Sequence, residues 1–570
     1  MLENFKRRII FVFLILLFLA IGIEIQAAQI GEGQIFNVDS SYDLTGRLEI
    51  TATLRKITSQ IYFYIDDNWW NTLEASSQNE IIEALNKLTE EFEYKIYPSL
   101  TSTFGSEWKP GIDKDTRITI LIHPMIKEAG GYFNSGDEYP RAQFPESNER
   151  EMVYLNSQYI DSSQVNSFLA HEFMHLITFY QKEKTYGVSE DVWLNEARSE
   201  YAPTYLGYDG EYEGSNLQKR VKNFLDKPYD SLTEWKNKPY DYGVVNLFTQ
   251  YLVDHYGVRI LADSLAVRQT GIESLNTTLS KLGFKENFSQ IFTDWTIATF
   301  VNNCNLGEKY CYLNQNLKNF RVIPLINYLP LIGKSTLSVT NTTTNWAGNW
   351  HKFVGGKGEL KVEFAGSPEV KFKIPYITQD SNGNYSIDFL NLDENGKGTI
   401  YISDFGGKFT SLTIIPSIQS KFSNFSEQEP SYQFFWSASI VEEGEQELIA
   451  SLLAQIDNLK KEIARVQAQI NAILGSRGQK ISCQKFEEDL YFGMTENTQV
   501  RCLQEFLKAQ GQEIYPEGLI TGNFLSLTQI AVIRFQEKYV SEILAPLGLQ
   551  KGTGYVGSAT RTKINQLLSF

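Results

Sequence analysis

Residues 171–175 read His-Glu-Phe-Met-His and residues 193–202 read Trp-Leu-Asn-Glu-Ala-Arg-Ser-Glu-Tyr-Ala, so that Glu196 follows His175 by 21 positions. On a helix, side chains at i and i+4 stand one above the other, so His171 and His175 can reach a single metal ion with Glu172 beside it. Zinc suits such a set, because a catalytic zinc takes three protein ligands from His and a carboxylate and keeps its fourth position for water. Glu196 would supply the carboxylate. With five histidines in the chain, chance assembles the five-residue pattern in on the order of one in a few hundred chains of this composition. The competing explanation is a core helix with two satisfied histidines, since Phe168, Leu169, Phe173, Leu176, Ile177 and Phe179 give the stretch an apolar side. A core helix has no use for Asn-Glu-x-x-x-Glu downstream, and the chemical explanation is preferred.

These residues sit in a chain of 570, too long for one core and expected to divide into several domains. The net charge of −16 argues against affinity for nucleic acid or anionic membranes, both of which reward clustered Lys and Arg. Lys6, Arg7 and Arg8 precede an almost wholly apolar run from Ile9 to Ile23, and Gln26-Ala27-Ala28 follows. Residues 1–28 thus have the form of an export signal cut near Ala27, or of an uncleaved N-terminal anchor, and place the chain outside the cytoplasm, secreted or at the cell envelope. An oxidising compartment favours two local disulfides, Cys304 with Cys311 and Cys483 with Cys502.

Before the His-Glu stretch, residues 30–60 are polar and short of pattern. Ile81, Ile82, Leu85, Leu88 and Phe92 predict a helix over 78–95, and the apolar runs 117–122 and 151–155 predict strands with turns at Gly130-Gly131 and Asp137-Glu138. Residues 213–300 are helical by period, with a helix from about 243 ending at Gly257. From 319 to 440 the period changes to two, with runs at 359–364, 369–374, 385–390, 399–402 and 411–415, which predict a β-sandwich. Ile449, Leu452, Ile456, Leu459, Ile463, Val466, Ile470 and Ile473 alternate by three and four and predict a coiled-coil helix over 445–475, open to self-association, or else a helix packed on a neighbour. Residues 481–570 predict a small module of three helices.

The paired motifs resemble the gluzincin zinc metallopeptidases, in which thermolysin is the familiar member, and most closely the hyicolysin-like secreted enzymes. The resemblance implies a thermolysin-like α+β domain over 29–318, with zinc held by His171, His175 and Glu196, Glu172 as general base and Glu200 orienting the first histidine. Residues 129–133 and 151–156 resemble the family's active-site edge strand, which pairs with an extended peptide. An oxyanion donor is implied near Gly243, with Tyr240 and Tyr242 both in position. Gly522 to Gln536 and Gly557 to Arg561 resemble a bacterial peptidoglycan-binding domain. The multidomain chain is therefore expected to be an exported bacterial zinc endopeptidase acting on protein or peptide substrates and held to peptidoglycan. Two alternatives stay open: a non-catalytic wall-binding protein, and a zinc hydrolase of the peptide cross-links of the wall.

Overall fold

Ile61–Asp66, Ile118–His123 and Met152–Asn156 are runs of β-branched, aliphatic and aromatic residues in which every position is buried, as strands covered on both faces require. The computed structural model, which describes residues 28–331, 336–425, 429–441, 453, 455–457, 459–466, 483 and 485–569, pairs these three in parallel as β3, β4 and β6. They form the middle of a six-stranded sheet of order β1-β2-β3-β4-β6-β5. The polar stretch that carried no pattern supplies β1 (Gly33–Asn37) and β2 (Glu49–Ile57), both antiparallel additions at one margin. At the other margin Gly131–Tyr132 is β5, antiparallel to β6 and last in the sheet. Gly130-Gly131 is therefore the start of an edge strand, where local composition predicts a turn.

Strand alternation divides the sheet's two faces. Phe63, Ile65, Ile120, Ile122, Val153 and Leu155 join a core with helices α1 (Ala75–Glu91), α2 (Tyr97–Phe104) and α3 (Gln164–Phe179). Tyr62, Tyr64, Leu121 and Tyr154 join Phe36, Ile50 and Leu54 on the other face. Below α3 lie α4 (Val192–Tyr205), α5 (Asn216–Asp226), α6 (Pro239–Tyr256), α7 (Gly271–Leu282) and α8 (Phe288–Val301). The sixth begins with Pro239 in its first turn, where a missing N–H costs nothing, and ends at Gly257 with φ 76°. Gly243 lets α6 touch α5, because a Cβ there would stand 2.4 Å from the Phe224 nitrogen.

The period-two stretch folds into β7 (Leu325–Leu329), β8 (Thr336–Thr343), β9 (His351–Gly355), β10 (Gly358–Gly366), β11 (Phe372–Lys373), β12 (Pro375–Asp380), β13 (Tyr385–Phe389), β14 (Lys397–Phe405), β15 (Phe409–Ile414), β16 (Ser417–Ile418) and β17 (Tyr432–Val441). Nine of these make one nearly closed, barrel-like sheet around Phe353, Val362, Phe364, Leu412, Phe434 and Trp436. Its two halves are linked by the single pairing of Phe405 with Phe409. The run at 369–374 pairs over only two residues, as β11 with β16, although Phe372 and Ile374 still enter the core. Packing is continuous across residue 319. Trp346 meets Phe288 and Phe292 of α8 at 4.9 and 5.3 Å between ring centres, and the Trp350 indole N–H donates to the Thr296 carbonyl at 2.9 Å.

The described residues divide between Glu447 and Leu448 into two compact units. In the second, α9 (Thr498–Ala509), α10 (Ser526–Lys538) and α11 (Ser558–Leu567) surround Leu503, Phe524, Phe535, Val556 and Ile564. Gln504 and Gln536 play equivalent parts. Each amide oxygen accepts from the N–H groups of a Thr-Gly turn, Thr521-Gly522 and Thr553-Gly554, and each amide nitrogen donates to a threonine of the next helix, Thr528 and Thr560. Ile456, Leu459, Ile463 and Val466 lie on a helical stretch and are exposed, while Ile449, Leu452, Ile470 and Ile473 and the apolar run of 1–28 lie outside the described residues. Disulfides join Cys304 to Cys311 and Cys483 to Cys502, which is compatible with an exported protein. No helix among the described residues is long and apolar enough to cross a membrane.

One buried pair makes the fold pH-sensitive. Between β5 and β6, the Glu138 and Glu151 side chains are buried together, and Glu151 Oε1 accepts from the Ile112 N–H at 2.7 Å, while the remaining three carboxyl oxygens have no donor. Burial, then mutual repulsion, raises Glu138, and burial pushes Glu151 up to about 7 from an ordinary 4.5. The folded state holds a proton that the unfolded chain has already released, so this contribution is complete below about 4.5 and is lost as pH rises toward 7. Glu151→Gln keeps an acceptor for Ile112 and offers a donor to Glu138. Thermal unfolding should show the variant gaining on the order of 2 kcal/mol over the wild type at pH 8 relative to pH 4.5; equal pH dependence of the two proteins would remove the pair from the account.

Candidate metal centre

Helix α3 presents His171 and His175 one turn apart, with their Nε2 atoms 3.2 Å from each other. Helix α4 brings Glu196 Oε2 to 3.4 Å from the first Nε2 and 3.7 Å from the second. That oxygen is buried and has no hydrogen-bond donor. An ion bound tetrahedrally at about 2.0–2.1 Å spaces its ligand atoms about 3.3 Å apart, so these three atoms fit a metal ion, and two imidazoles with one carboxylate are a donor set that zinc accepts. Among the described residues this is the one group of three such side chains with ligand atoms close enough, within 4.8 Å, to share a metal.

The outer atoms of the same side chains fix their orientation. His175 Nδ1 lies 3.0 Å from Asn195 Oδ1 and 3.1 Å from Ser199 Oγ, so an Nδ1–H donated to Asn195 leaves the Nε2 lone pair facing the triad. His171 Nδ1 lies 3.5 Å from Glu200 Oε1. Glu200 is fully buried and receives a two-pronged guanidinium contact from Arg220, together with N–H groups from Asn216 and Asn246. Burial raises the Glu200 carboxyl, but Arg220 outweighs it and holds the group at about 2.

Three acids thus crowd two imidazoles. Burial lowers His171, yet Glu196, Glu172 and Glu200 carry it up to about 9; burial, with Glu196 and Glu200 adding to it, pushes Glu172 up to about 8 against the pull of His171. Burial lowers His175. Protons supply the positive charge at these side chains, and a metal ion held there would displace them.

Two clefts meet at the triad, one of about 340 Å³ lined by Phe133, Ser135, Phe179 and Asn195, the other of about 610 Å³ lined by Gly130, Phe168, Pro203 and Arg220. Tyr42, Gly131, His171, Glu172 and Tyr242 line both. The backbone of β5 lies against α3 because two glycines permit it: a Cβ on Gly130 would meet the Phe168 ring at 2.5 Å, and one on Gly131 would meet the Tyr154 carbonyl at 2.6 Å and Glu172 Cγ at 3.1 Å.

The two candidate tyrosines separate. Tyr242 faces the clefts, donates its O–H to Asn237 Oδ1 at 2.8 Å and lies beneath the Arg220 guanidinium at 4.6 Å; burial, then Glu196, raises its phenol. Tyr240, two residues earlier and hence on the far side of α6, lines neither cleft and packs under the Lys227 ammonium at 4.0 Å. Two residues at the site carry no motif. Tyr42 comes from the turn between β1 and β2 and stacks on Tyr132 at 4.8 Å, and Arg220 comes from α5; asking which cation could neutralise a buried Glu200 is the one question that would have led to the arginine.

No protein-family model and no curated protein matches the chain. Among solved structures it is similar to the pre-peptidase C-terminal domain of collagenase from Bacillus anthracis, at 8% identity over 20% of this chain and 96% of that one with a TM-score of 0.14. It is also similar to PliG, a periplasmic inhibitor of g-type lysozyme from Aeromonas hydrophila, at 11% identity over 21% and 100% with a TM-score of 0.14. A family GH115 4-O-methyl-α-glucuronidase with specificity for decorated arabinogalactans gives 6% identity over 57% and 51% with a TM-score of 0.13. Scores this low carry nothing to this chain.

The Glu200–Arg220 pair should be costly to break from one side. Arg220→Leu leaves a buried carboxylate without its cation and should destabilise the protein by about 3–5 kcal/mol in urea unfolding, with Glu200→Gln added to it recovering a large part. A loss below about 1 kcal/mol in the single variant would show that the pair does not hold α4 to α5.

Proposed function

We propose that this chain is an exported bacterial zinc endopeptidase of the gluzincin type, held at the cell wall by its second unit. One observation carries the proposal: two imidazole Nε2 atoms and an unpartnered buried carboxylate oxygen converge, with Glu172 beside them, at the last strand of a sheet. The order of elements around that point, a sheet margin above the His-Glu helix and a group of helices below it, is the one the resemblance to thermolysin-like enzymes implies, and it supports a domain of that kind.

In the reaction so proposed, an extended peptide adds to the free margin of β5 through main-chain hydrogen bonds, as sheet augmentation requires. Gly131 keeps that strand low enough for the carbonyl of the peptide to reach the triad. His171, His175 and Glu196 would hold the ion, and zinc, when bound, supplies Lewis-acid chemistry that brings the pKa of a coordinated water to about 7. Glu172 takes the proton of the attacking water on its carboxylate and returns it to the leaving amine. Tyr242, already turned into both clefts, donates its O–H to the oxygen of the attacked carbonyl once released from Asn237. Tyr240 has no part in it. For the second unit, the resemblance to peptidoglycan-binding modules is supported by a separate core, a disulfide and the paired Gln-to-Thr-Gly ties, and the exposed Ile456, Leu459, Ile463 and Val466 present the start of a seam for another helix.

The purified protein should contain about one zinc per chain, and His175→Ala with Glu196→Ala should abolish it. Glu172→Gln should keep the metal while lowering peptide turnover about 10²- to 10⁴-fold, and Tyr242→Phe should cost about 10²-fold where Tyr240→Phe costs nothing. Zinc retained by the double variant, or full activity in Glu172→Gln, would end the proposal. Residues 481–570 alone should pellet with purified peptidoglycan in a sedimentation assay; a fragment that stays in the supernatant would remove the wall from the assignment.

A further inference from the structure

The larger of the two clefts has an apolar floor and a cationic rim. Ala129, Gly130, Phe168 and Pro203 form the floor, and Lys127, Lys219 and Lys238 stand around it. None of the three lysines makes an ion pair within 4 Å among the described residues, and Glu128 is the one acid on the same rim, since Glu200 is engaged by Arg220 and Glu172 lies beside the triad. In a chain where 68 acidic residues outnumber 52 basic ones, this is a local reversal of sign. The smaller cleft has no counterpart: its acids Glu183 and Glu190 are hydrogen-bonded, and its Lys182 ammonium is buried against the carbonyls of Ser264, Val267 and Gln269.

The strand between the clefts gives them a direction. Residues before β5 (Ala129, Gly130) line the larger cleft and residues after it (Phe133, Ser135) line the smaller. A peptide joining β5 antiparallel at its free margin runs the opposite way, so the residues that follow the cleaved bond enter the larger cleft.

Resting on the peptidase assignment of the triad, we infer that the larger cleft selects substrates with a carboxylate on the C-terminal side of the cleaved bond, held by Lys127, Lys219 and Lys238. The carboxylate comes from an Asp or Glu side chain or from the end of the peptide itself; both offer the same two oxygens to the same ammonium groups. A lysine in that place meets three like charges over an apolar floor.

The test measures binding, so it does not depend on turnover. Fluorescein-labelled hexapeptides of alanine carrying Glu, Leu or Lys in the C-terminal half, each with a free or an amidated C-terminus, are titrated against the Glu172→Gln protein at low and high salt by fluorescence polarisation. The Glu or free-terminus peptides should bind about tenfold more tightly than the amidated Lys peptide, the gap should narrow with salt, and Lys219→Glu with Lys127→Glu should invert the order. A gap that follows the side chain in amidated peptides assigns the carboxylate to Asp or Glu; one that follows the free end assigns it to the C-terminus. Equal binding of all peptides, no binding of any, or an order unchanged by the lysine substitutions would overturn the inference. Cleavage of the same peptides by the wild-type protein is scored separately: carboxylate-dependent binding without cleavage removes the peptidase assignment and keeps the cleft, whereas cleavage without carboxylate dependence does the reverse.

Discussion

Three carboxylates, Glu172, Glu196 and Glu200, are buried or nearly so on two adjacent helices, and one guanidinium, that of Arg220, faces them. Arg220 neutralises Glu200 alone. Burial pushes Glu172 up to about 8, and the carboxylates of Glu196, Glu172 and Glu200 outweigh burial to carry His171 up to about 9. A carboxylate oxygen without a hydrogen bond in the interior costs several kcal/mol, and Glu196 Oε2 forms none, with the two imidazole nitrogens facing it at 3.4 and 3.7 Å. The proposed ion resolves this deficit, and the surrounding structure can be understood as the means of keeping that arrangement in place.

The sheet contributes by proximity. Its parallel strands are buried on both faces, so β6 lies firmly over α3, and the glycines at 130 and 131 let the last strand descend until its backbone borders the triad. The helices contribute by anchorage: α5 delivers Arg220 to Glu200, and Gly243 lets α6 close on α5, which brings Tyr242 to the clefts. The barrel-like sheet reaches this group through Trp346 and Trp350, whose rings enter the same core as Phe224, Phe288 and Phe292. Its strands therefore buttress the helices below the site, and the change from helical to period-two pattern near residue 319 marks a change of secondary structure without a break in packing.

What was legible in the sequence was local. The i, i+4 histidines, the acid 21 positions on and the two cysteine pairs are chemical signatures that survive without knowledge of the fold, and each pair or triplet is brought together. Strands β4 and β6 announced themselves as apolar runs because they are buried on both faces, whereas β3 (Ile61–Asp66), buried likewise, was not singled out. Tyr42 and Arg220 did not announce themselves, since their importance lies in contacts 90 and 20 residues away along the chain, with Tyr132 and Glu200. Gly130-Gly131 misled for a related reason: glycine pairs usually make turns, whereas here the absent Cβ atoms serve a close approach of strand to helix. The choice between Tyr240 and Tyr242 needed only the direction of each side chain, which two positions on a helix separate onto opposite faces.

The most direct test of the central claim is X-ray absorption at the zinc edge on the metal-loaded protein. The account predicts a shell of nitrogen and oxygen at about 2.0–2.1 Å with the outer-shell scattering of two imidazoles, falling to one in His175→Ala. Zinc held by oxygen atoms alone, or a spectrum indifferent to the loss of His175, would contradict it.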